Sequence, residues 1–123
     1  MIKYIKTVAI YVSDQPKSLS FYTDGLGLEV RRRETMGPQG DWVELAPKGG
    51  QSCLVLYPRA MMPDWENRRP SIVFHCADVE QTYQELVARG VEFREAPKRL
   101  PWGIFAQFTD PDGNEFLIHS PAA

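Results

Sequence analysis

The sequence predicts an α+β fold: two tandem βαβββ modules forming a curved mixed sheet around a cleft. Three observations carry this. The segment Val8-Ala-Ile-Tyr-Val-Ser-Asp14, a helical stretch and Leu26-Gly-Leu-Glu-Val30 are echoed by Ile72-Val-Phe-His-Cys-Ala-Asp78, a second helical stretch and Arg89-Gly-Val-Glu-Phe93. The later parts repeat too, with Trp42 to Leu45 and Ser52 to Pro58 matching Phe105 to Phe108 and Glu115 to Pro121, so that the offset is 64 residues early in each copy and 63 late. Finally, 123 residues suffice for one good core and are too few for two ordinary independent domains. The expectation is a single domain over 1–123, with modules at about 1–58 and 71–121 and a linker at 59–70.

Each module opens with a strand rich in β-branched and aromatic residues, Thr7 to Val12 and Ser71 to Cys76. An aspartate then caps a helix. Asp14 is followed by Pro16 in the first turn, and Asp78 has Gln81 three residues on, the pattern of a capping box. Leu19, Tyr22 and Leu26 share one helical face, as do Val79, Tyr83, Leu86 and Val87. Gly25 and Gly27 end the first helix and Gly90 the second. Three more strands follow in each copy, about Glu29 to Glu34, Trp42 to Ala46 and Ser52 to Tyr57, then Glu92 to Glu95, Ile104 to Thr109 and Glu115 to Ser120. Pro47-Lys-Gly-Gly50 and Pro111-Asp-Gly113 read as the turns between the last two strands. The linker carries Met61, Met62, Pro63 and Trp65 and is placed to cover a pocket mouth.

Strand alternation separates Thr7, Ala9 and Tyr11 from the uniformly apolar Val8, Ile10 and Val12, which suit the underside of a helix. By the repeat, the cleft lining is expected to be Thr7, Ala9, Tyr11, Leu54, Leu56, Ser71, Val73, His75, Leu117 and His119. The parity of Glu44, which pairs by repeat with Gln107, is not settled by the pattern. Trp102, fixed between Pro101 and Gly103, is a candidate wall for a planar ligand.

A net charge of -2 and no basic block beyond Arg31-Arg-Arg33 give no reason to expect a nucleic-acid partner. No apolar run approaches the length of a membrane span, and Met1-Ile-Lys-Tyr4 leads straight into a strand, so the expected location is cytoplasmic. Cys53 and Cys76 lie in apolar strands without CxxC spacing and read as small hydrophobes.

The pattern strand-Asp-helix-Phe21-Tyr22-x3-Leu26-Gly27, with the closing Asp110-Pro-Asp-Gly-Asn-Glu-Phe116, resembles the glyoxalase, bleomycin-resistance and extradiol-dioxygenase superfamily, also called the vicinal oxygen chelate fold. The resemblance spans nearly the whole chain. It implies a partial barrel, often completed in a homodimer, and in catalytic members one divalent metal held by His, Gln or Glu. Carried onto this sequence, the ligand positions are Thr7, Leu54, Ser71 and Leu117, none a competent donor.

The expectation is therefore a homodimeric protein that binds a small, partly aromatic organic molecule in an apolar cleft, with no cofactor and no superfamily metal. Its ligand-binding residues are expected to be Thr7, Tyr11, Leu54, Leu56, Ser71, His75, Trp102, Leu117 and His119. The alternative is a metal-dependent lyase, isomerase or dioxygenase using a displaced site at His75 and His119, with Glu44 as a carboxylate donor.

Overall fold

Asp14 and Asp78 open the two helices as their patterns require. In the computed structural model, whose described residues are 1–122, each sits in extended backbone and its carboxylate accepts an amide of the first turn, Lys17 at 3.1 Å and Gln81 at 3.3 Å. The chain divides into two compact units, Met1–Pro70 and Ser71–Ala123, so the segment linking the copies belongs with the first.

The first unit contains β1 (Thr7–Val12), α1 (Gln15–Ser20), a π-helical turn (Phe21–Gly25), β2 (Glu29–Thr35), β3 (Asp41–Ala46), β4 (Cys53–Pro58) and two short 3-10 turns. Its sheet has the order β1-β4-β3-β2, with β1 and β4 parallel and the other pairs antiparallel. The helix widens into its π turn where the Thr23 hydroxyl donates to the Leu19 carbonyl at 2.7 Å and the Leu26 amide reaches back to Phe21 at 3.0 Å. Tyr22 of that turn is fully buried, as are Ile10, Val43, Leu45 and Leu56 of the strands. Gln15 fixes the helix start to the sheet. Its amide donates to the carbonyls of Asp41 (2.6 Å) and Leu56 (3.0 Å) and accepts the Asp41 amide (2.8 Å). Strand β2 is an edge, exposed along its whole length, and its run of charges is the usual protection of an edge against stray strand pairing.

The second unit contains β5 (Ile72–His75), α2 (Val79–Ala88), β6 (Glu92–Leu100), β7 (Gly103–Thr109) and β8 (Glu115–Ser120), in the order β5-β8-β7-β6 with β5 and β8 parallel. Its core is aromatic. Phe108 stacks on Phe116 (5.5 Å between centroids) and Phe74 (6.3 Å), and touches Phe93 (5.6 Å), which meets Tyr83 of α2 edge-on at 4.7 Å. Val79 and Leu86 complete the buried helix face, whereas Val87, expected on it, is exposed. The Val79 amide is satisfied by the buried Ser120 hydroxyl of β8 at 3.1 Å. Strand β6 runs well past the expected Glu95. It is an edge with two register shifts, one spanning Pro97, a position that tolerates a residue without an amide hydrogen.

The turn from β7 to β8 is organised by Asp110, which is buried. One carboxylate oxygen accepts the amides of Asp112 (3.0 Å) and Asn114 (2.8 Å), and the other accepts the Asn114 side-chain amide (2.9 Å). Cys53 and Cys76 are not disulfide-bonded. No helix among the described residues is long and apolar enough to cross a membrane.

Candidate functional site

Residues directly opposite on neighbouring strands point to the same side of a sheet. In the first unit the pairs Thr7/Cys53, Ala9/Val55, Tyr11/Tyr57, Glu44/Val55 and Arg32/Glu44 define one face. The opposite face carries Ile10, Val12, Val43 and Leu45, and this apolar set lies beneath the helix. The face turned away from the helix, called here the far face, is the one the sequence assigned to ligand binding.

Two expected lining residues are not on it. Leu54 pairs with Val8 and Leu56 with Ile10, so both point to the helix side, 7% and 0% exposed. The reason is loop length: the turn between β3 and β4, Pro47 to Ser52, has six residues, against five in Asp110 to Asn114. The offset between copies is therefore 64 for Ala9/Val73, 63 for Glu44/Gln107 and 62 for Val55/Leu117, and a one-residue slip inverts a strand's faces. The counterpart of Leu117 is Val55, not Leu54.

The other expected residues fall as follows. Thr7 and Tyr11 lie half-buried on the far face of the first unit. Ser71 is exposed, just ahead of β5. Exposed His75 stands opposite half-buried His119 on the far face of the second unit, where Leu117 pairs with Val73. Trp102 is 68% exposed in the turn before β7.

The imidazoles of His75 and His119 have centroids 5.7 Å apart, and Phe105 lies 4.9 Å from His119. Gly103 makes room for this array. A Cβ there would come within 2.5 Å of His119 Nε2 and 2.9 Å of the Ser120 carbonyl, and the backbone has φ +148°. Gly103→Ala is expected to cost about 2 kcal/mol through the positive φ and to push the His119 ring off Phe105. Thermal melting reads the first effect and the His119 ring-proton shifts the second.

The far face of the first unit also holds residues outside the expected ligand-binding set, among them Glu44, whose side the pattern left open. Glu44 is buried and its Oε2 accepts the Trp42 indole N–H at 2.7 Å. Tyr57 sits edge-on to Trp42 (6.2 Å) and to Tyr11 (5.7 Å). Arg32 bonds Glu34 through Nε and Nη2 at 3.0 and 2.7 Å, which with the Glu34 charge holds its guanidinium above the ordinary value. Arg68 of the linking segment lies beside Tyr11 and is hydrogen-bonded to Asp64 at 2.8 Å. That bond draws the Asp64 carboxyl below its usual range. Trp65 of the same segment is covered by Arg59 and Arg69, whose guanidinium carbons lie 4.3 and 5.4 Å from its ring.

The ligand positions of the superfamily do not suit a divalent ion here. Thr7 and Ser71 offer only hydroxyls, and Val55 and Leu117 offer hydrocarbon. Among the described residues no three His, Cys, Asp or Glu side chains come together as a metal site.

The family model described as Glyoxalase/Bleomycin resistance protein/Dioxygenase superfamily matches residues 4–118. The chain belongs to this superfamily. Within it, the uncharacterized protein YetH of Bacillus subtilis strain 168 is 48% identical over 118 residues, covering 96% of this chain and 98% of its own. A superfamily member from Sphaerobacter thermophilus DSM 20745 superposes with a TM-score of 0.86 at 32% identity, over 97% of this chain and 98% of that one. TnmS3, an antibiotic binding protein from Streptomyces sp. CB03234, superposes with a TM-score of 0.83 at 33% identity, over 98% and 97% of the two chains. The superfamily's two-module fold is thus shared along essentially the full length.

Proposed function

We propose that this superfamily member binds a small, partly aromatic organic molecule on its far faces and does so without the superfamily metal. The observation that carries this reading is the donor-poor set Thr7, Val55, Ser71 and Leu117 at the ligand positions. Planar side chains support it: Tyr11, Trp42 and Tyr57 in the first unit, His75, Phe105 and His119 in the second, with Trp102 exposed nearby in sequence. Likeness to an antibiotic binding protein adds support for capture of an organic molecule. In this reading the protein is a cytoplasmic homodimer without a nucleic-acid partner, the last supported by its net charge of -2.

The competing reading, a metal-dependent lyase, isomerase or dioxygenase, draws on the facing pair His75 and His119. Metal analysis of purified protein, paired with tryptophan-fluorescence titration of planar aromatic compounds, separates the two. Saturable quenching of metal-free protein is expected. One firmly held equivalent of ion that a His75→Ala variant loses would overturn the binding reading in favour of the enzyme.

A further inference from the structure

Glu44 is a buried carboxylate on the far face of the first unit. Its side chain is only 8% exposed, yet it is not consumed by internal bonds. Oε2 takes the Trp42 indole hydrogen at 2.7 Å. The nearest guanidinium, Arg32 Nη1, stands 3.8 Å from that same oxygen, beyond hydrogen-bond length, while the rest of its fork is engaged by Glu34. Oε1 has no hydrogen-bond or ion-pair partner among the described residues. Because no fully buried side-chain oxygen or nitrogen among the described residues lacks one, Oε1 opens toward solvent.

Two carboxylates, Glu34 and Glu44, share the single Arg32 guanidinium, so one negative charge is uncompensated. A carboxylate largely withdrawn from water gains more from an added cationic donor than one in bulk solvent. Trp42, hydrogen-bonded to it, meets Tyr57 with perpendicular rings, and Tyr11 meets Tyr57 in turn, giving π-faces on the same side of the sheet of the kind that attract organic cations. Arg68, beside Tyr11, is hydrogen-bonded to Asp64.

We infer that Glu44 is a specificity determinant of the far face, accepting through Oε1 the charged N–H of an arylmethylamine or arylamidine, with Trp42 positioning the carboxylate. The ligand class is thus an organic cation whose nitrogen lies close to a flat ring. This rests on the binding reading above and deepens it.

Calorimetric titration with 1-naphthylmethylamine, 1-naphthalenemethanol and 1-naphthoate, at neutral pH, tests it. The amine is expected to bind the unaltered protein about tenfold or more tighter than the alcohol, the return of one charge-assisted bond, and the acid is expected to bind weakest. Glu44→Gln keeps the volume and an acceptor for Trp42. It is expected to bring the amine and alcohol within about twofold of each other, chiefly by weakening the amine. An amine preference that survives in the variant overturns the assignment, as does a ratio near one in the unaltered protein, which decides alone if the variant does not fold. Failure of all three probes to bind overturns the binding reading itself, an outcome distinct from equal binding of amine and alcohol.

Discussion

Phe108→Ala is expected to lower the unfolding free energy by about 4 kcal/mol, read as a fall in the urea midpoint with little change in slope. Phe108 is 1% exposed, and its ring is the hub on which Phe74, Phe93 and Phe116 converge. Truncation removes the transfer free energy of a benzyl group and leaves a void. The neighbouring rings are held by strands β5, β6 and β8 and can collapse into it only in part. Phe108→Leu is expected to recover roughly half the loss, since it refills much of the volume without the stacking. An alanine cost below about 1 kcal/mol would mean that the aromatic cluster does not hold the second unit together.

Asp110→Ala should be the next most damaging, at about 3 kcal/mol. The carboxylate is buried and receives the Asp112 and Asn114 amides and the Asn114 side chain, so its removal strands several donors in a turn that water reaches poorly. Asp110→Asn keeps the shape but replaces one acceptor oxygen with a donor facing donors, and is expected to fall between the two. Chemical denaturation measures both, and amide exchange at Asn114 locates the effect: its protection should drop with the alanine variant. Unchanged protection would show that the turn is held by its backbone bonds alone, such as Gly113 to Asp110 at 3.0 Å.

Most of the architecture was legible because the local signals agree. Asp14 and Asp78 cap helices, Gly27 and Gly90 end them with positive φ, and the apolar parity of Ile10 and Val12 marks the side under the helix. Three things were not legible, each for a physical reason. The face of β4 was inverted because matching Pro58 with Pro121 concealed the extra residue in the preceding turn, and both parities of Cys53 to Leu56 are apolar. The burial of Glu44 was hidden because Trp42 and Ala46 on its side look no different from Val43 and Leu45 on the other, and the Trp42 hydrogen bond that keeps the carboxylate inside is a tertiary detail. The extension of β6 was masked by Pro97, which a central strand would reject and an edge accepts. In the site itself, counting turn residues in both copies would have recovered Val55 and Tyr57; nothing in the sequence announces that Glu44 keeps an oxygen free.

The longer turn between β3 and β4 has a practical side. Arg31 holds the turn through the carbonyls of Pro47 and Gly50, while a Cβ at Gly49 would meet nothing within 4 Å. The crown of this hairpin is thus a tethered handle: a dye or affinity peptide grafted between Lys48 and Gly49 would ride outside the sheet, with both strand registers left as they are.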